Sequence, residues 1–130
     1  MIQIEVKTTK AEVQRFLTKL SEILNDDSFD VSKHLIFIQN SKNMQTLMDL
    51  DYDTQQIVEH LKTLTITEFS EVKIDNENAY PPYLWVFGRY IERHLVYIKL
   101  KIREKEDSTK VVCLSFHIAV HPMSFPYKKR

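Results

Sequence analysis

Two stretches near the C-terminus alternate polar and apolar residues with a period of two, and this alternation limits the chain more than any other feature. From Leu95 onward, Val96, Ile98, Leu100 and Ile102 fall on one side of an extended backbone. Tyr97, Lys99, Lys101 and Arg103 fall on the other. The next stretch places Val112, Leu114, Phe116 and Ile118 together and leaves Val111, Cys113, Ser115 and His117 opposite. Both patterns demand strands with one buried and one wet face. The polar run Glu104 to Lys110 joins them, and a symmetric connection predicts Arg103 opposite Val111, Lys99 opposite Ser115 and Tyr97 opposite His117. Directly opposed side chains bring their Cβ atoms to about 4.5–5.5 Å. A hydroxyl, an ammonium and an imidazole could then share one small ligand. Two readings of this face stand side by side: an active site, or the ordinary solvent side of a sheet.

The upstream pattern is mostly helical. Ile2, Ile4 and Val6 alternate as a short edge strand, and Thr9 to Glu12 forms a capping box before Val13, Phe16, Leu17, Leu20 and Leu24. This helix is expected to reach about Asn25, with Asn25 to Ser32 a loop. Leu35 to Ile38 predicts a strand, and Asn40 and Asn43 a turn. Asp53 caps a second helix with Ile57, Val58, Leu61 and Leu64 on its buried stripe. Thr67 opens either a further helical turn or the strand Phe69 to Ile74. Pro81 and Pro82 then lead into strands at Leu84 to Phe87, Leu95 to Arg103 and Val111 to Ala119. Helices followed by a meander predict an α+β domain, with an antiparallel sheet and two or more helices on one face. At 130 residues one domain is expected, with residues 118–130 a proline and aromatic tail.

Composition removes several function classes. Gly88 is the only glycine, so neither a phosphate loop nor a dinucleotide fingerprint can be written. No apolar run approaches the roughly 18 residues of a membrane span. Met1 to Lys10 lacks the basic start, apolar block and small-residue cleavage site of a secretion signal. The single cysteine, Cys113, reads as a small buried filler and fits a reducing, cytoplasmic compartment. Net charge is zero, yet residues 1–84 hold 8 Lys and Arg against 14 Asp and Glu, and residues 85–130 hold 10 against 4. The basic last third suits a polyanion.

On the wet face, cleavage of RNA by its own 2′-hydroxyl needs a base, an acid and cations. His117 suits proton transfer, Lys99 and Lys101 suit phosphate charge, and Tyr97 can bond or stack on a base. Trp85 could stack on a base or fill the core. Arg89 and Arg93, flanking a turn, could steer phosphate or solubilise the loop. His121 lies in a tail that packs on the body or covers the site. His34 and His60 show no metal-ligand spacing, and Asp49, Asp51 and Asp53 lack the glycine and closing glutamate of a calcium loop.

The segments Val96-Tyr97-Ile98-Lys99 and Leu114-Ser115-Phe116-His117 make the chain resemble the MqsR family of toxin endoribonucleases from bacterial toxin-antitoxin systems. Those toxins end in a similar Val-Tyr-Leu-Lys and Val-Ser-Phe-Lys strand pair. Leu50-Asp51-Tyr52-Asp53 is similar to the family's Leu-Asp-Phe-Asp before a helix, and Phe69 and Trp85 fall in step. The resemblance covers roughly residues 35–117. It implies a RelE-like fold, metal-independent and cofactor-free cleavage of messenger RNA, and a cognate antitoxin protein that blocks the toxin. It carries Tyr97 and Lys99 over as site residues. The chain departs from the family where His117 replaces a Lys, Glu71 stands in place of a catalytic Lys with Lys73 two residues on, and Val86 falls near an expected Gln. The expected site is therefore Tyr97, Lys99, His117 and Lys73 for catalysis. Single-stranded RNA is expected to meet Arg89, Arg93, Lys101, Arg103, Ser115 and Trp85. The rival expectation is a non-catalytic phage or mobile-element protein that docks on a host protein or nucleic acid through the same face.

Overall fold

The computed structural model describes residues 6–76 and 82–129. The expected strand at residues 2–6 lies outside these apart from Val6, which packs half-buried against the core. Among the described residues, four α-helices, α1 (Lys10–Asn25), α2 (Val31–His34), α3 (Ser41–Leu50) and α4 (Thr54–Lys62), accompany five strands. These are β1 (Leu35–Phe37), β2 (Phe69–Ile74), β3 (Tyr83–Ile91), β4 (His94–Lys105) and β5 (Ser108–Ile118), in the spatial order β1-β5-β4-β3-β2. Only the β1–β5 pairing is parallel. The fold is α+β, with helices packed on a mostly antiparallel sheet.

Local chemistry explains the first helix. The Thr9 hydroxyl accepts from the Glu12 N–H at 3.1 Å while the Glu12 carboxylate accepts from the Thr9 N–H, which satisfies two otherwise orphaned donors. Val13, Phe16, Leu17, Leu20 and Leu24 recur on one face and are all buried. Phe16 stacks on Trp85 with ring centroids 4.5 Å apart, fixing α1 over β3. The core beneath is built from Phe69, Phe87, Val96, Ile98, Leu100 and Phe116, each essentially inaccessible. Full burial of such a side chain is worth about 1.5–3 kcal/mol.

The β4–β5 hairpin differs from the expected symmetric register in one decisive place. Tyr97 opposes His117 and Lys99 opposes Ser115, as the alternation predicts, but Leu100 opposes Cys113. Leu114 is the extra residue of a β-bulge, so parity reverses before it. Val111 and Cys113 therefore belong to the core, and Val112 shares the other face with Lys101. Arg103 consequently opposes Lys110, not Val111. The strands also run to Lys105 and Ser108, so the long polar loop expected from Glu104 to Lys110 shrinks to Glu106 and Asp107.

Helix α3 occupies residues read as a turn. Asn40 does not turn the chain: its side chain caps the helix by accepting from the Asn43 N–H at 2.9 Å. Asn43 sits inside the helix and is wholly buried. The β1 strand stops at Phe37, which leaves the outer edge of β5 bare beyond Cys113. The Asn43 amide donates to the carbonyls of Ile38 (2.7 Å) and Leu114 (3.0 Å), and its oxygen accepts from the Phe116 N–H at 3.0 Å. The Thr46 hydroxyl accepts from the Ile118 N–H at 3.1 Å. Two side chains of a helix thus stand in for a missing strand, as buried backbone groups require partners.

At the other hairpin, Glu92 and Arg93 both take positive φ (49° and 71°), the paired left-handed geometry that matches strand twist in a two-residue connection. No glycine marks it, and β3 accordingly runs through Arg89 to Ile91. No helix among the described residues is long and apolar enough to cross a membrane.

Replacing Asn43 by Ala orphans two carbonyls and one N–H at the bulge. We expect Asn43→Ala to lose about 2–4 kcal/mol in urea unfolding, from a cost of about 1–3 kcal/mol per unsatisfied buried group with partial relaxation. Asn43→Asp is expected to lose a similar amount, because a carboxylate cannot donate to the Ile38 and Leu114 carbonyls. An unfolding midpoint unchanged in both would show that the edge is capped by other means.

Candidate active site on the open face

The sheet face opposite α1 and α4 holds a cavity of about 550 Å³. Its floor is made by Tyr97 and Lys99 of β4 with Ser115 and His117 of β5, brought together by the register just described. Ser70, Glu71 and Lys73 of β2 form one wall. Lys42, on the first turn of α3, borders it, and residues 120–124 of the tail close it.

The Tyr97 ring organises the floor. It stacks on His117 with centroids 5.3 Å apart and an interplanar angle of 19°. Lys73 Nζ lies 5.8 Å from the same ring, within cation–π range. His117 Nδ1 lies 3.0 Å from the Ile118 carbonyl oxygen. A carbonyl can only accept, so Nδ1 carries the proton in that bond and Nε2 of the neutral ring keeps its lone pair.

Three lysines and two histidines face one carboxylate, Glu71, across this cavity. The balance suits an anion that exchanges protons during reaction. Cys113 is fully buried, and burial pushes its thiol up to about 12, so it is no nucleophile here.

The tail reaches the cavity through a defined path. Ala119 N–H still bonds to the Leu95 carbonyl at 2.8 Å, extending the hairpin. Further on, Met123 and Phe125 lie over Gly88, where a Cβ would stand 2.7 Å from Phe125 Cζ and 2.9 Å from Met123 Sδ. Gly88 opposes Tyr97, so the lone glycine is the berth that lets the tail lie down beside the floor. Tyr127 then packs on Phe69 with centroids 5.9 Å apart.

All four expected catalytic residues, Tyr97, Lys99, His117 and Lys73, line this one cavity, together with Ser115. The other expected RNA contacts do not. Trp85 turns to the helical side, between Phe16 and Phe69. Arg89 lies within β3 and points to α4, where its guanidinium bonds the Glu68 carboxylate (2.8 and 3.0 Å), the His60 and Thr63 carbonyls and the Thr63 hydroxyl. Lys101 is buried and paired with Asp75 at 2.8 Å. Arg93 sits at the β3–β4 turn, and Arg103 lies farther along β4 in a separate pocket. Lys42, Ser70, Glu71 and His121 were not among the expected site residues. Lys42 is invisible while α3 is read as a turn, whereas the prolines around His121 do signal an extended tail that returns to the body.

No family model, curated protein or solved structure matches this chain. Among the described residues no group of three or more His, Cys, Asp or Glu is placed to hold a metal ion.

Two measurements test this description. Gly88→Val should push Met123 and Phe125 off β3, so limited proteolysis should cut within residues 119–129 much faster than in the parent chain, with the body intact. Equal cutting rates would mean that the tail does not depend on this berth. The second measurement concerns His60, whose imidazole pKa is held below 6.5, first by burial and then by the Arg89 guanidinium. Above pH 6.5 the ring is neutral folded and unfolded alike, so the fold keeps its full stability. Below it the unfolded chain takes up the proton first, and stability falls until the folded pKa is passed. His60→Gln should remove that part of the loss of Tm on acidification, and an unaltered pH profile would place the loss elsewhere.

Proposed function

We propose that the protein is a toxin-type endoribonuclease that cleaves single-stranded messenger RNA in the cavity over Tyr97. The observation that carries this reading is the committed His117 tautomer at the floor of a lysine-rich cavity, with Nε2 left to accept a proton. The resemblance of the two floor strands to MqsR toxins supports it, and His117 replaces the family's terminal Lys with an imidazole, which can both take and give a proton.

In the reaction, His117 Nε2 takes the proton of the ribose 2′-hydroxyl, and that oxygen attacks the adjacent phosphorus. The bond from phosphorus to the 5′-oxygen of the next nucleotide breaks. His121, on the tail side of the cavity, gives a proton to that leaving oxygen. The products are a 2′,3′-cyclic phosphate and a 5′-hydroxyl. Lys99, Lys73 and Lys42 stabilise the extra charge on the pentavalent phosphorane, and the Tyr97 ring holds His117 in plane. Ser115 offers a hydroxyl beside Lys99. The sequence resemblance supplies the cytoplasmic setting and a cognate antitoxin as partner.

A leaving-group comparison separates the two histidines. His117→Ala and His121→Ala should each slow cleavage of a dinucleotide by about 10²–10⁴. With a nitrophenyl leaving group, which departs without protonation, His121→Ala should recover most of its rate while His117→Ala should not. Circular dichroism must show both variants folded, and cleavage should persist in a chelator. Wild-type rates in folded His117→Ala across pH 5–8 would remove the base from this scheme. Induced expression of the parent chain, but not of His117→Ala, should arrest bacterial growth.

A further inference from the structure

We propose that the tip of the β4–β5 hairpin is a second anion site, which binds a backbone phosphate of the same RNA strand some distance from the one being cleaved. The RNA identity rests on the function proposed above, whereas the anion site rests on the hairpin itself. A separate pocket of about 150 Å³ lies there, lined by Arg103, Lys105, Ser108 and Lys110. Arg103 opposes Lys110 and Lys105 opposes Ser108, so two directly opposed pairs enclose it. Three cations and a hydroxyl line this pocket without a carboxylate. Glu106 and Asp107 form the turn beyond the Lys105–Ser108 pair without lining the pocket, and Glu104 projects from the opposite side of the strand and pairs with Lys19 of α1.

An anion between the two opposed pairs would meet cations from both strands. Arg103 brings a planar fork for two phosphate oxygens, the lysines bring point charges and Ser108 brings a hydroxyl donor. The volume admits a single phosphate group.

The placement relative to the cavity assigns the partner. Lys99, Lys101, Arg103 and Lys105 point to the same side of β4. Lys101 is withdrawn from that row by its buried bond to Asp75. The row is thereby divided into two basic stations, one in the cavity at Lys99 and one at the tip from Arg103 onward. Four residues of strand separate Lys99 from Arg103, about 14 Å. One phosphodiester cannot occupy both stations. A longer single strand can, with its cleaved phosphate over His117 and a flanking phosphate at the tip. Longer RNA should then be held far better than a dinucleotide.

The test uses the full chain carrying His117→Ala, so that RNA survives, and fluorescence anisotropy with a single-stranded RNA of about twelve nucleotides over a salt series. Adding Arg103→Gln and Lys110→Gln together should raise Kd about tenfold or more. It should also flatten the slope of log K against log salt by about 1.4, since each cation released from a single strand contributes about 0.7. Arg103→Lys, which keeps the charge, should retain the slope and guards against a misfolded hairpin. On the His117-containing chain, the double change should lower kcat/KM for the long RNA at least about tenfold more than for a dinucleotide. An unchanged salt slope overturns the proposal. So does inorganic phosphate that shifts the Ser108 and Lys110 amide resonances while RNA binding ignores both substitutions, for that result assigns a free-phosphate site. If the parent chain cleaves no RNA but the slope falls as stated, the tip site stands and the nuclease reading falls. If RNA is cleaved and the slope does not move, the reverse holds.

Discussion

Three hydrogen bonds from the Asn43 carboxamide hold together the features on which the open face depends. The amide joins the carbonyl at the end of β1 to the carbonyl of the bulge residue Leu114, and its oxygen takes the Phe116 N–H. A bulge leaves one residue out of the ladder, so its polar backbone groups need outside partners. In a wholly buried position, their loss would cost more than an ordinary surface bond contributes. Because the bulge is secured, β5 can present Val111 and Cys113 to the core before it and Ser115 and His117 to the cavity after it. Without the extra residue one of these two groups would face the wrong side. The same helix turn carries Lys42 to the cavity border.

Much of this was legible in the chain. The alternation from Val96 to Ile102 places β4, and a symmetric connection gives the Tyr97–His117 and Lys99–Ser115 oppositions, although the bulge and the two-residue turn replace the Arg103–Val111 pairing from which that connection starts. Lys73 joined them through β2, which pairs on the far side of β3. The bulge was not legible, since Val111, Val112, Cys113 and Leu114 are all apolar and carry no phase. Nor was α3, because Asn40 and Asn43 favour turns as readily as a helix cap and a buried bracket. The β3–β4 turn at Glu92 and Arg93 carries no glycine, so nothing in the sequence marks its position.

Cations were the least legible group, for a physical reason. A basic side chain in a sequence shows a charge and no partner, and the partners here lie far along the chain. Arg89 meets Glu68 and the C-terminal end of α4 through a bidentate pair and four further bonds, tying β3 to the helical layer. Lys101 meets Asp75, with both side chains about 5% exposed. Removing one member of such a pair would strand the other charge, so both pairs serve the architecture first. The charge asymmetry between the two parts of the chain is thus partly cancelled inside the fold. Of the other cations in that part, Lys99 lines the cavity, and Arg103, Lys105 and Lys110 line the pocket at the hairpin tip.

Of the five histidines, His34 accepts the Asp30 N–H at its Nδ1, and His60 bonds Tyr52 and is held below its ordinary pKa under the Arg89 network. His94 begins β4 beside the β3–β4 turn. The lone thiol is raised far above neutral pH by burial. His117 and His121 are the two histidines that line the cavity, one from the rigid hairpin and one from a tail seated on Gly88. A strand residue with a fixed tautomer suits the group that must take a proton at a set position. A tail residue suits the group that meets a departing oxygen, whose position depends on the strand being cut. In the proposed reaction that division of roles ties proton donation to the docking of the tail, and through Gly88 to the one place in the sheet where the backbone carries no side chain.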